Sequence, residues 1–299
     1  MWLGLAFVSA FLLGCYDICK KKSVNGNAVI PVLFFNTLFC TLLLSPLCVI
    51  SIFSPDTLSG SIFYMPVVSL STHGFIFVKS VIVLSSWILG YFAIKHLPLT
   101  ITGPINATRP VMTLVGAMLI FGERLNLYQW IGVLLTIVSV YLLSSSGKKE
   151  GINFTRDKWV VFMFFAALLG AVSGLYDKFL MQQFSSTAVQ FWFNFYQCIL
   201  MGIILMLLWY PRREKNGPFQ WRWSILLVAV FLTGADFVYF YALTDPDAMI
   251  SIVSMVRRSS VIVSFAGGVL FFHEKNLKGK AIDLVLIIIA MFFLYLGAE

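Results

Sequence analysis

Apolar runs of about twenty residues, separated by short polar clusters, follow one another along the whole chain. A helix of about 20 apolar residues crosses the hydrocarbon core of a bilayer. The pattern predicts about ten such spans, at 2–19, 29–53, 75–95, 100–121, 128–146, 159–180, 188–210, 223–243, 249–272 and 280–297. Runs such as Ile225–Phe231 show no strict alternation, which excludes a transmembrane β-barrel. The expected fold class is therefore all-α, a polytopic membrane protein.

The same pattern occurs twice. Ala10-Phe-Leu-Leu-Gly14-Cys-Tyr16-Asp17 in the first span matches Gly170-Ala-Val-Ser-Gly174-Leu-Tyr176-Asp177 in the sixth. Phe35-Asn36 answers Phe193-Asn194, and Tyr91 to Pro98 answers Tyr239 to Pro246. Arg109 in the fourth span answers Arg258 in the ninth, and Phe121-Gly-Glu123 answers Phe272-His-Glu274. This divides the chain into a five-helix repeat over 1–147 and a second, degenerate one over 148–299. Five is odd, so the second copy enters the membrane from the opposite side. Two inverted halves are the architecture of alternating-access transporters, with the substrate site where the repeats meet.

Composition agrees with a membrane protein: 60% of residues are hydrophobic and 11% charged, against roughly 25% charged in soluble chains. The net charge of +8 comes from Lys and Arg near the span ends. Lys20, Lys21 and Lys22 follow the first span, Lys95 the third, and Lys148, Lys149, Arg156 and Lys158 the fifth. Arg212, Arg213, Lys215 and Arg222 follow the seventh, and Lys275, Lys278 and Lys280 the ninth. Basic loops face the cytoplasm, so both termini are expected outside a plasma (bacterial inner) membrane. This bias accounts for the charge without nucleic acid. The five cysteines have neither disulfide-framework nor zinc-site spacing, and no metal or cofactor is expected.

With these motifs the chain resembles the EamA-type members of the drug/metabolite transporter superfamily. The resemblance spans nearly the whole length and is strongest at Pro110-Val-Met-Thr-Leu-Val-Gly116, Phe121-Gly-Glu123-Arg-Leu and Gln129-Trp-Ile-Gly132. In the second half, Ser259 or Ser260 stands for Pro110, His273 for the glycine before the glutamate, and Asp283 for Gly132. The resemblance implies export of amino acids, metabolites or toxic compounds, or uptake of sugars. It also implies basic residues after the second span and an N-terminus inside, whereas residues 54–74 carry no Lys or Arg.

Polar groups inside lipid are costly and usually face a cavity or a partner. Arg109 and Arg258 either pair with Asp17, Asp177 or Asp236, or clamp an anionic substrate group with the planar guanidinium fork. Asp236, deep in its span, is the candidate coupling carboxylate. Asn36 and Asn194, with Gln197 one turn on, either line the site or hydrogen-bond between helices. Tyr16, Tyr176, Trp87 and Trp192 are candidates for its aromatic wall. Lys79, four residues into its span, is expected to snorkel to the interface. Glu123 and Glu274 read as structural turn residues that cap the following helix.

The expected function is a secondary transporter moving a small metabolite (amino acid, sugar or amphipathic compound) across the bilayer, with proton coupling through Asp236 as one mode. One chain holds both halves, so a monomer suffices, and a dimer stays open. No catalytic motif is present, so an enzyme is not expected. A membrane-embedded lipid enzyme would gather His, Asp or Glu at one face, and His73, His96 and His273 are far apart in sequence. A sensor would carry a soluble output domain, and a channel a continuous polar stripe.

Overall fold

The structure is a computed structural model that describes residues 2–58, 60–113, 115, 126–148, 154, 156–213, 218–242, 253, 256–273 and 277–297. Its principal elements are helices: α1 (Trp2–Val24), α2 (Val29–Phe53), α3 (Leu70–His96), α4 (Leu99–Ala107) and α5 (Leu127–Lys148). The second half has α6 (Lys158–Gln183), α7 (Ser186–Ile204), α8 (Trp223–Ala242), α9 (Ser260–Phe272) and α10 (Leu277–Leu296). Six helices among the described residues are long and apolar enough to cross a membrane: α1, α2, α3, α8, the segment Lys158–Met181 of α6, and α7 extended to Trp209. Outward-facing side chains such as Phe11, Phe53, Leu134 and Phe292 are exposed and apolar, as a lipid-facing surface requires.

Two ends differ from the sequence reading, and both corrections matter later. The α1 helix runs to Val24, so Lys20 belongs to the helix and is buried. The α3 helix starts at Leu70, where Ser69 accepts a hydrogen bond from the Thr72 amide at 3.3 Å. This N-cap lets the polar stretch before residue 75 join the helix. The face where α1 and α3 end is tied together by its basic side chains. Lys21 Nζ donates to the Ile94 and Leu97 carbonyls, each at 2.6 Å. Arg222 donates to the Lys22 and Asn25 carbonyls, each at 2.7 Å. These cations satisfy the orphan carbonyls of helix ends.

The two halves exchange their main contacts. Helix α1 packs chiefly along α8, and α3 along α6. Swapping each helix for its counterpart five places on turns one pair into the other. Of the other contacts, α2 with α7, α4 with α9 and α5 with α10 map onto themselves, while α1 also packs on α9 and α2 on α8. The α1–α8 pair is antiparallel: Ser9 Oγ donates to the Ala235 carbonyl at 2.7 Å, and Ser23 Oγ to Ser224 Oγ at 2.7 Å. Gly14 permits close approach to α9, because a Cβ there would overlap the Val263 side chain.

The fourth and ninth spans are not continuous helices. A turn interrupts each, at Thr108 and at Ser259. The two turns share one hydrogen-bond device. Thr108 donates both its amide (3.2 Å) and its hydroxyl (2.7 Å) to the Ile105 carbonyl. Ser259 donates its amide (3.0 Å) and hydroxyl (2.6 Å) to the Val256 carbonyl. A hydroxyl competing for the local carbonyl tightens a helix into such a turn. In the first half Pro110 adds to the effect, since it has no N–H to return to the Asn106 carbonyl. Each turn directly adjoins an arginine, Arg109 or Arg258.

Candidate functional site

A cavity of about 170 Å³ lies where the two halves meet. Its wall draws on α1, α3, α6, α7 and α8 and on the interrupted fourth and ninth spans. The α1 helix brings Tyr16, Asp17 and Lys20, and α3 brings Lys79, Trp87 and Tyr91. The α6 helix contributes Gly170, Gly174 and Asp177, and α8 contributes Asp236 and Tyr239. The interrupted spans add Asn106, Arg109, Arg257 and Arg258.

Three ion pairs organise this wall. Lys20 Nζ lies 2.8 Å from Asp17 Oδ1, one helical turn away, and Asp17 also accepts from Ser264 Oγ at 3.0 Å. Lys79 pairs with Asp177 across α3 and α6, and Arg257 pairs with Asp236. Each cation of these pairs also lies over an aromatic face. Lys20 stands 4.2 Å above the Tyr16 ring, Lys79 4.8 Å above the Phe193 ring, and Arg257 4.2 Å above the Tyr239 ring. Aromatic quadrupoles strengthen such contacts when water is excluded.

Arg109 and Arg258 are left without a carboxylate among the described residues. Among the described residues Arg109 donates one long bond, 3.4 Å, to the Ala166 carbonyl, and its buried Nε finds no partner there. Its guanidinium lies against the backbone of Gly170, where a Cβ would overlap it. Arg258 is repelled by both Arg109 and Arg257, and Asp17 attracts Arg109 and Arg258 only through space. The buried Asn106 side-chain oxygen also lacks a partner at this wall.

Of the residues singled out in the sequence, Arg109, Arg258, Asp236, Tyr16 and Trp87 meet at this cavity. Asn36, Asn194, Trp192 and Tyr176 stand outside its wall. Asn36 is fully buried and accepts from Cys40 Sγ at 3.8 Å, while Asn194 donates to the Gln190 carbonyl at 2.8 Å within its own helix. Trp192 packs edge-on against His73 at 4.6 Å, and Tyr176 donates to the Phe75 carbonyl at 3.2 Å. Lys79 does not snorkel: it is 3% exposed and bonded to Asp177. Asp17, Asp177 and Asp236, the alternative partners of Arg109 and Arg258, pair with Lys20, Lys79 and Arg257. Glu123 and Glu274 lie outside the described residues. Beside them, His273 ends α9 in the left-handed conformation, with φ 51°. Gly170 serves Arg109 rather than a neighbouring helix, and Gly174 has no neighbour within 4 Å.

The profile of the EamA-like transporter family matches residues 1–145 and again 157–296. A protein of Archaeoglobus fulgidus described as an uncharacterized transporter is 26% identical over 146 residues, 48% of this chain and 49% of that protein. The match thus covers about half the length of that relative. A solved crystal structure superposes over 99% of this chain and 97% of its own with a TM-score of 0.67, at 13% identity. At that identity the likeness is one of fold.

Proposed function

Because the chain belongs to the EamA-like transporter family, we propose that it is a secondary transporter with a single central site, the cavity between its halves. In this reading about ten spans form two inverted five-helix halves in a plasma (bacterial inner) membrane, with both termini outside. A small metabolite binds near the bilayer midplane, and the halves rock to expose it to each side in turn. The observation that carries the reading is the convergence, among the described residues, of eight charged side chains from both halves on one cavity. Charged groups inside lipid are expensive and mark substrate and ion pathways. The paired interruptions at Thr108 and Ser259 support it further, since discontinuous helices place polar backbone at transporter sites.

Asp236 is the coupling group of this mechanism. Its pairing with Arg257 ties it to the interrupted ninth span. The test is flux into liposomes containing the purified full-length protein, with and without an imposed pH gradient. Wild-type uptake should follow the gradient, and Asp236→Asn should lose that dependence while still binding substrate. Uptake by the wild type that ignores the gradient would reduce the mechanism to facilitated exchange. Absence of flux for every compound class offered to well-folded protein would defeat the transporter reading itself.

A further inference from the structure

Among the described residues, five cationic and three anionic side chains line the central cavity, an excess of two positive charges. All three carboxylates are engaged, Asp17 by Lys20, Asp177 by Lys79 and Asp236 by Arg257. The excess therefore resides on Arg109 and Arg258. These two stand at matching places in the repeat, each beside the turn that interrupts its span. A cation in a low-dielectric interior without an opposite charge is strongly disfavoured. Nothing among the described residues supplies that charge at bonding distance. An anionic substrate would supply it.

We infer that the substrate is a small organic dianion, a dicarboxylate or a phosphate ester, whose oxyanions are held by Arg109 and Arg258, one from each half. The inference rests on the proposed transport role of this cavity and names its substrate class. The chemistry fits the side chains. A guanidinium presents parallel N–H donors that match two oxygens of a carboxylate or phosphate. Arg109 holds donor capacity in reserve, since its Nε has no acceptor among the described residues. Gly170 lets its guanidinium lie flush against the α6 backbone instead of projecting across the cavity. The aromatic faces of Tyr16, Tyr91 and Tyr239 already carry Lys20 and Arg257, so they are not open to a cationic ligand. A neutral sugar or a polyamine would leave both arginines unneutralised. A substrate with one charge at each end has a natural seat between two arginines from opposite halves. It would keep contact with both halves as they move.

The experiment pairs two readouts on the full-length protein: thermal stabilisation in detergent and flux in liposomes. The probes are succinate, glycerol 3-phosphate, the neutral analogues succinamide and glycerol, and putrescine. A dianion is expected to stabilise and to be transported, and the neutral and cationic probes to do neither. The carboxylate and phosphate arms identify which oxyanion the site takes. Arg109→Gln and Arg258→Gln should each weaken apparent affinity for the dianion by about tenfold or more. Each should also shift preference from succinate towards its monoamide, because one excess charge remains; a merely structural role would not move that ratio. The wild-type charge series decides even if a variant fails to fold. Flux of a neutral or cationic probe, with the dianions inert, overturns the substrate class and leaves the transporter standing. Stabilisation by a dianion without flux keeps the site and overturns the carrier. Neither stabilisation nor flux by any probe overturns both.

Discussion

Lys79, 3% exposed in an apolar bundle, is paired with Asp177, and a buried charge stripped of its partner is strongly destabilising. Lys79 and Asp177 should therefore behave as a unit. Lys79→Met leaves Asp177 unpaired at the cavity and should cost about 3 kcal/mol of stability. Lys79→Met with Asp177→Leu should recover most of that loss, because an apolar pair of similar volume avoids the desolvation of both charges. Thermal unfolding of both variants in one detergent checks this, and equal losses would mean that the pair is not coupled. The pair was hard to read from sequence for a definite reason. Starting the third span at residue 75 puts Lys79 near the interface, while the Ser69 cap starts the helix five positions earlier and carries it inward. Lys20 was misplaced in the same way at the other end, since α1 runs through three lysines before it stops. Hydropathy reports where apolar residues are dense and is silent on the capped polar turns that extend a helix. By contrast Asp17, Asp177, Arg109 and Arg258 were legible, because the repeat singles out each one twice.

Helices in this protein are positioned by small residues and by interruptions as much as by apolar faces. Gly14 is a close contact point of α1 with α9, and Gly14→Ala should cost about 1–3 kcal/mol, the usual range for overpacking a tight contact. Gly174→Ala, with no neighbour within 4 Å, should be within about 0.5 kcal/mol of wild type. Both glycines belong to small-residue motifs that look alike in sequence, so unfolding midpoints of the two variants separate motif from contact; equal values would refute the assignment. The apolar faces of the long spans were legible from length and hydropathy alone. The turns at Thr108 and Ser259 were not, since a lone Thr or Ser in an apolar run reads as an ordinary helical position. Their effect depends on the hydroxyl reaching the carbonyl three residues back, which no periodicity records. Pro110 hinted at the break in one half only. The ending of α9 on His273 in the left-handed region is similar: the first half has Gly122 at that place in the sequence, and glycine adopts this conformation without steric cost.

At the scale of the molecule, the repeat is an interlock and not a pair of adjoining domains. Since α1 relies on α8 and α3 on α6, each half buries its apolar faces chiefly against the other. Residues 1–148 and 156–299 made as separate polypeptides should co-purify, and either alone should be unstable or self-associate. Recovery of a well-folded monomeric first half would contradict the exchanged packing. The doubling itself was plain in the sequence. The exchange was not, because a repeat fixes what each half contains and leaves open which helices face which. The interlock also sets a clock on synthesis. Lys79 is built 98 residues before Asp177, its only carboxylate partner among the described residues. At about 5–20 residues per second, α3 waits roughly 5–20 s for α6 to emerge. Lys20 has no such wait, because Asp17 precedes it in the same helix. The insertion machinery must therefore shelter one unneutralised lysine, or hold α3 back from the lipid, until the second half arrives.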